Sequence, residues 1–434
     1  MTYLEAVGYL NTETAEGIKP DISRMSKMCR DLGHPEKSFH VIHVTGTNGK
    51  TSTARMISAI LSGLGFKTAL YTSPHLVSYT ERMSIDGVEI TPEEFGVALE
   101  AMIPVINSTN RAGLGGLVTQ FEALTAMAFS WFAQMSVDVA VIEVGMGGRW
   151  DATNVAKADV AVITNIALEH TDRLGTTIEA IAGEKSGVIK NGTTVITGVD
   201  QPSALSVIVE QCRLQGAGRK FYGLDIDLIR SEAAPDGARL LTIKGLHRTY
   251  TCIPLNLKGA HQAINAVMAI AAVESLLDHL KDRETFSFGE TLTRVIPTIT
   301  SPGRLETVEK RPQLVLDGAH NPAGAASLAA ALKSEFEYDK LILVLAVLED
   351  KDADGIIRTL VPLADRVITA AARSPRALDA DKLAEKVERF GKNITAAASV
   401  AEALVQARRE ARADDMILVT GSLYTVGEAK ETLK

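Results

Sequence analysis

Val44-Thr45-Gly46-Thr47-Asn48-Gly49-Lys50-Thr51-Ser52 leaves an apolar run, Val41-Ile42-His43-Val44, and enters a helical pattern carried by Ala54, Ile57, Ile60 and Leu61. Strand, glycine-bearing turn and helix in that order let successive backbone N–H groups curl round phosphate oxygens. Gly46 and Gly49 permit the curl, the helix N-terminus adds a favourable dipole, Lys50 adds a charge, and Thr51 adds a hydroxyl near magnesium. Such a turn cradles the phosphates of ATP. The spacing G-x-x-x-x-G-K-[ST] is not met in full, because Val44 stands where the first glycine would be. A bare Gly-Lys-Thr would be a turn capping an ordinary helix; the flanking strand and helix favour the phosphate reading.

Outward from this loop, short β-branched runs recur: Val139-Ala140-Val141-Ile142 and Val160-Ala161-Val162-Ile163-Thr164 have the length and uninterrupted apolarity of strands buried on both faces. Helical periodicity separates them, over 121–132 and 178–188. Alternating strands and helices predict an α/β fold built on a parallel sheet, a P-loop ATPase domain. A hairpin-like patch, Leu240-Leu241-Thr242-Ile243 and Tyr250-Thr251-Cys252-Ile253, predicts a small edge sheet, followed by a long helix over about 260–277. After Pro297 and the Ser301-Pro302-Gly303 turn, strands restart at Leu314-Val315-Leu316-Asp317, 341–347, Arg366-Val367-Ile368-Thr369 and Met416-Ile417-Leu418-Val419. The boundary is placed near residue 298, giving residues 1–298 to an ATP-binding domain and 299–434 to a smaller, Rossmann-like α/β domain.

The chain's 434 residues suffice for two or three domains with cores that need no covalent staples. Its 45 Lys and Arg against 53 Asp and Glu lack the broad positive field that nucleic-acid binding requires, so an anionic ligand must be held locally. The three cysteines, Cys29, Cys212 and Cys252, are far apart and form no C-x-x-C pair, which fits a reducing compartment. No basic residue precedes Lys19, and no apolar run approaches the ~18 residues of a membrane span. A cytoplasmic protein that binds neither nucleic acid nor membrane is expected, acting on small molecules as a monomer.

The shortened loop Gly46-x-x-Gly49-Lys50-Thr51, preceded by His43-Val44-Thr45, resembles that of the Mur ligase family of ATP-dependent amide-forming enzymes. Further segments resemble its folate branch, the folylpolyglutamate and dihydrofolate synthases. They are Tyr71-Thr72-Ser73-Pro74-His75-Leu76, the stretch from Glu143 to Asn154, Gly183-Glu184-Lys185-Ser186-Gly187, Gly259-Ala260-His261-Gln262-x-x-Asn265-Ala266, Pro302-Gly303-Arg304-Leu305-Glu306, Asp317-Gly318-Ala319-His320-Asn321-Pro322 and Gly421-Ser422-Leu423-Tyr424. They stand in the family's order across nearly the whole chain. Three positions depart from the pattern: Glu169 before His170, Ser301 before Pro-Gly-Arg, and Ala346 at a frequent glycine. None removes a charged or metal-binding group.

The resemblance implies a ligase that adds L-glutamate to dihydropteroate or to reduced folate through an acyl phosphate, with ATP as co-substrate and Mg²⁺ at two sites. It implies ATP contacts from Gly46, Thr47, Asn48, Gly49, Lys50, Thr51, Ser52, Asn265, Arg304 and Asp317. It also implies metal ligands at Ser73, Glu143, His170 and a carbamylated Lys185, with Lys50, Glu143, His170 and Lys185 as the catalytic set. Glu143 ends an apolar strand, at the edge where open α/β sheets bind ligands. By residue type alone, His170 is equally a loop histidine or a transition-metal ligand, and Lys185 a solvated helix lysine. Asn265 reads alone as a buried polar group, and Arg304 as a phosphate fork or a surface ion pair.

Thr119-Gln120-Phe121-Glu122 and Trp150-Asp151-Ala152 resemble the segments that contact the pterin, where a ring can stack and a carboxylate can meet ring nitrogens. Equally, Phe121 reads as core and Glu122 as a first-turn acid. His320 and Ser422 are candidates for orienting glutamate or nucleotide. The site is expected to be complete only when the two domains close. Two alternatives are weighed. A cell-wall ligase of the same family would carry a nucleotide-sugar domain, whereas about forty residues precede the loop strand. A non-catalytic P-loop switch would carry N-K-x-D, which the chain lacks. A dinucleotide-binding C-terminal unit is disfavoured because no G-x-G-x-x-G follows a likely strand there.

Overall fold

The computed structural model describes residues 1–15, 20–234, 237–281 and 287–433; Lys19 lies outside them. The chain forms two compact units. The first comprises Met1–Ser73, Ser78–Asn256 and Ala263–Ile299; the second comprises Pro74–Val77, Leu257–Gln262 and Thr300–Lys434.

The first unit carries strands β1 (His40–Thr45), β2 (Thr68–Tyr71), β3 (Met83–Ile85), β4 (Val88–Glu89), β5 (Val139–Glu143), β6 (Val160–Ile163), β7 (Thr194–Thr197) and β8 (Gly218–Phe221). They form one sheet in the order β4-β3-β2-β5-β1-β6-β7-β8. From β2 through β8 all neighbours are parallel; β3 alone runs against the rest, pairing antiparallel with both β2 and β4. Every residue of β5 and β6 is buried, as expected of strands covered by helices on both faces. After β1 the chain crosses to β2 on one side, then returns to place β5 and β6 on either flank of β1. The carboxyl end of β1 is therefore a topological switch point, where open α/β sheets take their ligands.

The helix Lys50–Gly63 that follows buries Ala54, Ile57, Ile60 and Leu61, so its apolar stripe fixes how its N-terminus meets the end of β1. The helix Gln120–Gln134 opens with a capping box in which Thr119 and Glu122 exchange hydrogen bonds with each other's backbone N–H.

The hairpin over 240–253 has a third strand. Strands β9 (Asp227–Ala233), β10 (Arg239–Lys244) and β11 (Thr249–Leu255) make an antiparallel sheet of their own, in the order β11-β10-β9. Contrary to the sequence expectation, the helix Ala260–Leu280 does reach membrane-span length and apolarity, but 78% of its apolar window is buried within the protein. Its composition is that of a core helix.

The second unit holds β12 (Glu306–Lys310), β13 (Gln313–Leu316), β14 (Leu341–Leu345), β15 (Arg366–Thr369), β16 (Asn393–Ala396) and β17 (Met416–Thr420) in the order β12-β13-β17-β14-β15-β16. Only the β12–β13 pairing is antiparallel. Core clusters pack on both faces of this sheet, the arrangement of a smaller α/β layer structure.

Candidate functional site

Gly46 and Gly49 take φ of 144° and 83°, the left-handed region that disfavours side chains. A Cβ on Gly46 would lie 1.8 Å from Thr164 Oγ1, and one on Gly49 2.7 Å from Asn265 Oδ1. The curl between them is held from β6's end. Thr164 Oγ1 donates to the Asn48 carbonyl at 2.7 Å; the Asn165 amide donates to the same oxygen at 3.0 Å and accepts from Asn48 N at 3.0 Å. Thr47 N donates to the Asn165 carbonyl at 2.9 Å. Sequence reasoning missed Thr164 and Asn165 as loop supports; their position just past a buried apolar run was the available signal.

At the start of the helix, Thr51 Oγ1 donates to Glu143 Oε1 and Oε2 at 2.9 and 3.1 Å. Ser73 N reaches Glu143 Oε2 at 3.3 Å. Glu143 is 1% exposed, so its charge sits against hydroxyl and backbone dipoles rather than bulk water. Lys50 Nζ folds back to donate to the carbonyls of Gly46 and Thr47, each at 3.0 Å.

Lys50, Gly46, Glu169, His170, Lys185 and the turn Gly145-Met146-Gly147 line one cleft. His170, at φ 48°, stands 3.6 Å through Nε2 from Glu169 Oε1. Lys185 is 2% exposed and donates to the Gly46 carbonyl at 2.8 Å, so it is no solvated helix lysine. Burial, helped by the Lys50 charge, pushes its pKa down to about 7, against the pull of Glu169 and Asp151. Near neutral pH this amine is substantially uncharged. Carboxylate and hydroxyl oxygens at Glu143, Thr51 and Ser73 suit a hard divalent cation. Among the described residues, no group of three or more His, Cys, Asp or Glu could hold a metal. Hard cations bound beside phosphates take one or two carboxylates and complete their shell from phosphate and water.

Next to Glu143, Gly145 lies between Phe121 and Asp151: a Cβ there would stand 2.7 Å from the Phe121 ring and 3.2 Å from Asp151 Oδ2. Phe121 is half-buried, 6.1 Å from the Tyr71 ring. Asp151 is buried and accepts from Met146 N and Thr153 N, both at 3.0 Å. Burial raises its pKa, and those hydrogen bonds oppose the rise. Trp150 beside it is 44% exposed, whereas Ala152 is buried. Thr119 is buried at the helix cap and Gln120 donates to Asn11 Oδ1 at 3.2 Å.

Glu122 corrects the sequence expectation. Its oxygens accept from Thr119 N at 2.7 Å and from Arg24 Nε at 3.0 Å, with Arg24 Nη2 at 2.9 Å. Arg24 and Glu122 are 1% and 5% exposed; the carboxylate is occupied within the fold and is not offered to a pterin.

The second unit places Asp317 just past the end of β13, buried, accepting from Leu305 N and Ala319 N at 2.9 Å each. Burial raises its pKa, with Arg304 and then His261 pulling the other way. A Cβ on Gly318 would lie 2.9 Å from Arg304 Nη1, so Arg304 and Asp317 are neighbours. His320 Nδ1 donates to the Gly318 carbonyl at 2.8 Å. Ser422 is buried as the cap of the helix Leu423–Thr432, accepting from Thr425 N at 3.1 Å. Its hydroxyl also meets Thr425 Oγ1 at 2.7 Å.

Known proteins resemble this chain along nearly its whole length. The family description "Mur ligase middle domain" matches residues 44–273 and "Mur ligase, glutamate ligase domain" residues 303–423. A dihydrofolate synthase/folylpolyglutamate synthase of Mycobacterium tuberculosis is 41% identical, over 95% of this chain and 90% of its own length. One of Bacillus subtilis is 34% identical over 100% and 99%. Among solved structures, M. tuberculosis folylpolyglutamate synthase complexed with ADP superposes with a TM-score of 0.92 at 39% identity, covering 99% of this chain and 97% of that one. Escherichia coli FolC in complex with DHPP and ADP does so at 0.85 and 32%, covering 100% and 98%.

Proposed function

The chain belongs to the Mur ligase family, and on that premise we propose that it is an ATP-dependent ligase joining L-glutamate to dihydropteroate or to a folate. The observation that carries this reading is the Thr51–Glu143 pair beneath the Gly46–Lys50 curl. It brings a phosphate cradle and an oxygen donor set to one switch point.

The substrate carboxylate attacks the γ-phosphorus of ATP, the bond to the bridging oxygen breaks, and ADP leaves behind an acyl phosphate. The uncharged glutamate amine then attacks the acyl carbon, and the tetrahedral intermediate collapses to amide and phosphate. Lys50 turns from its own loop carbonyls to the phosphates, and the Thr47, Asn48, Gly49 and Ser52 segment surrounds them. No side chain forms a covalent adduct with substrate. Magnesium would neutralise crowded phosphate oxygens; Glu143 and Ser73 would hold one ion, and His170 with Lys185 a second. Lys185 would serve there as a carbamate: its neutral Nζ attacks carbon dioxide, an N–C bond forms as one C=O π bond opens, a proton passes to solvent, and an uncharged amine becomes an anionic oxygen donor. Its pKa near 7 supports that conversion.

Residues 1–298 carry this ATP chemistry; residues 299–434, through Arg304, Asp317 and His320, serve the nucleotide and glutamate. Phe121 and Asp151, flanking Gly145 next to Glu143, favour a pterin ring there, a group that dihydropteroate and the folates share. The test is to offer dihydropteroate and tetrahydrofolate separately with ATP, magnesium and glutamate, and to weigh the products. One added glutamate per ADP formed is expected with at least one acceptor; no adduct with either contradicts the reading.

A further inference from the structure

His43 sits in the middle of β1, three residues ahead of Gly46 of the phosphate loop, and nothing above uses it. It is fully buried, as is Thr153, and its Nε2 lies 2.8 Å from Thr153 Oγ1. The Thr153 hydroxyl in turn donates to Asp151 Oδ1, which also accepts from Thr153 N at 3.0 Å. The other oxygen, Oδ2, accepts from Met146 N at 3.0 Å. A chain of three side chains thus runs from the central strand, through the short helix Ala152–Val155, to the turn that follows Glu143.

Counting protons gives this chain a direction. A threonine hydroxyl has one hydrogen, spent here on the carboxylate, so the contact with His43 must be filled by an N–H from Nε2. The histidine is then the neutral tautomer with a bare Nδ1, and Nδ1 has no hydrogen-bond partner among the described residues. A second proton would leave an unpaired N–H in the core, close to the Lys190 ammonium, which donates to the carbonyls of Asn154 and Ala156. Burial first, and Lys190 second, push the His43 pKa down to about 3.

We propose that His43 is a positioning residue that, through Thr153, fixes the rotamer of Asp151 and so the orientation of the carboxylate that meets the pterin-bearing acceptor. The role deepens the function proposed above and rests on Asp151 facing that acceptor. Without the His43 donor, the Thr153 hydroxyl is free to rotate away, Asp151 loses a hydrogen bond, and its grip on Met146 N loosens. The phosphate loop has its own supports to the side, Thr164 and Asn165, which take no part in this chain.

The test compares KM for dihydropteroate and for ATP in wild type, Asp151→Ala, His43→Leu and His43→Gln, whose side-chain amide can donate where Nε2 does. Loss of one supporting hydrogen bond predicts an acceptor KM about tenfold higher in His43→Leu, an unchanged ATP KM, and recovery in His43→Gln. Alongside, nitrogen NMR of the wild-type ring should show Nε2 protonated and Nδ1 bare without titration from about pH 5 to about pH 9. Should His43→Leu fail to fold, Thr153→Val removes the hydroxyl at constant shape and carries the same expectation. An Nδ1-protonated or titrating ring overturns the assignment, and so does an acceptor KM that rises in Asp151→Ala but not in His43→Leu. An acceptor KM unmoved even in Asp151→Ala overturns it at its root, by removing Asp151 from the acceptor site.

Discussion

Thr51 and Glu143, 92 residues apart in the chain, meet through a hydroxyl that reaches both carboxylate oxygens at 2.9 and 3.1 Å. Parallel pairing of β1 and β5 sets that meeting, with Val44 opposite Glu143 in register. Glu143→Gln keeps the shape and removes the charge. We expect kcat to fall by about a hundredfold or more, with the midpoint of thermal unfolding nearly unchanged and the magnesium dependence shifted to higher concentration. Steady-state rates across a magnesium titration check this, and a variant with normal turnover would remove Glu143 from the site.

Lys50 is half-buried, and its ammonium donates to backbone carbonyls of its own loop. Lys50→Ala should therefore leave the circular dichroism spectrum and unfolding midpoint intact while lowering ADP formation by roughly a thousandfold. Coupled ADP release under saturating acceptor measures it.

For Lys185 the folded pKa, about 7, lies below its ordinary 10.5. Between those values the unfolded chain binds the extra proton, so stability rises with pH there; below about 7 the whole cost of burying the cation is present. Lys185→Met should stabilise the protein in carbon-dioxide-free buffer by an amount on the order of a few kcal/mol at about pH 6, and by clearly less at about pH 9. Urea unfolding at the two pH values tests this; an equal gain at both would refute it.

The Arg24–Glu122 pair is buried, so removing one partner strands the other's charge. Glu122→Ala should cost about 3–5 kcal/mol in urea unfolding, the lost cap included, whereas Glu122→Gln should cost less because it keeps a hydrogen-bonding oxygen for Thr119 N and Arg24. A cost below about 1 kcal/mol for the alanine would mean the pair is solvated.

These outcomes also mark what the sequence could express. The β1 strand, the loop and the helix Lys50–Gly63 were legible because local chemistry dictates them: an apolar run, glycines where φ is positive, and apolar residues recurring on one helical face. Strand β9 was not read, since Asp227–Ala233 is half polar and mostly exposed, and β3 with β4 is too short to leave a pattern. Around the site, Lys50, Thr51 and Glu143 announced themselves by motif. Glu122 did not, because its first-turn position is compatible with a cap or a ligand, and only Arg24, 98 residues earlier, decides between them. Thr164, Asn165, His43 and Thr153 act through contacts between distant segments, and no spacing in the chain encodes those.

The central claim is that the terminal phosphoryl group of ATP passes to the acceptor's carboxylate. It is tested most directly by supplying dihydropteroate, or tetrahydrofolate if that is the acceptor used, with heavy oxygen in the carboxylate, then weighing the inorganic phosphate released on turnover with glutamate. Transfer through an acyl phosphate predicts one heavy oxygen in each phosphate. Phosphate carrying none, at normal amide yield, would contradict it.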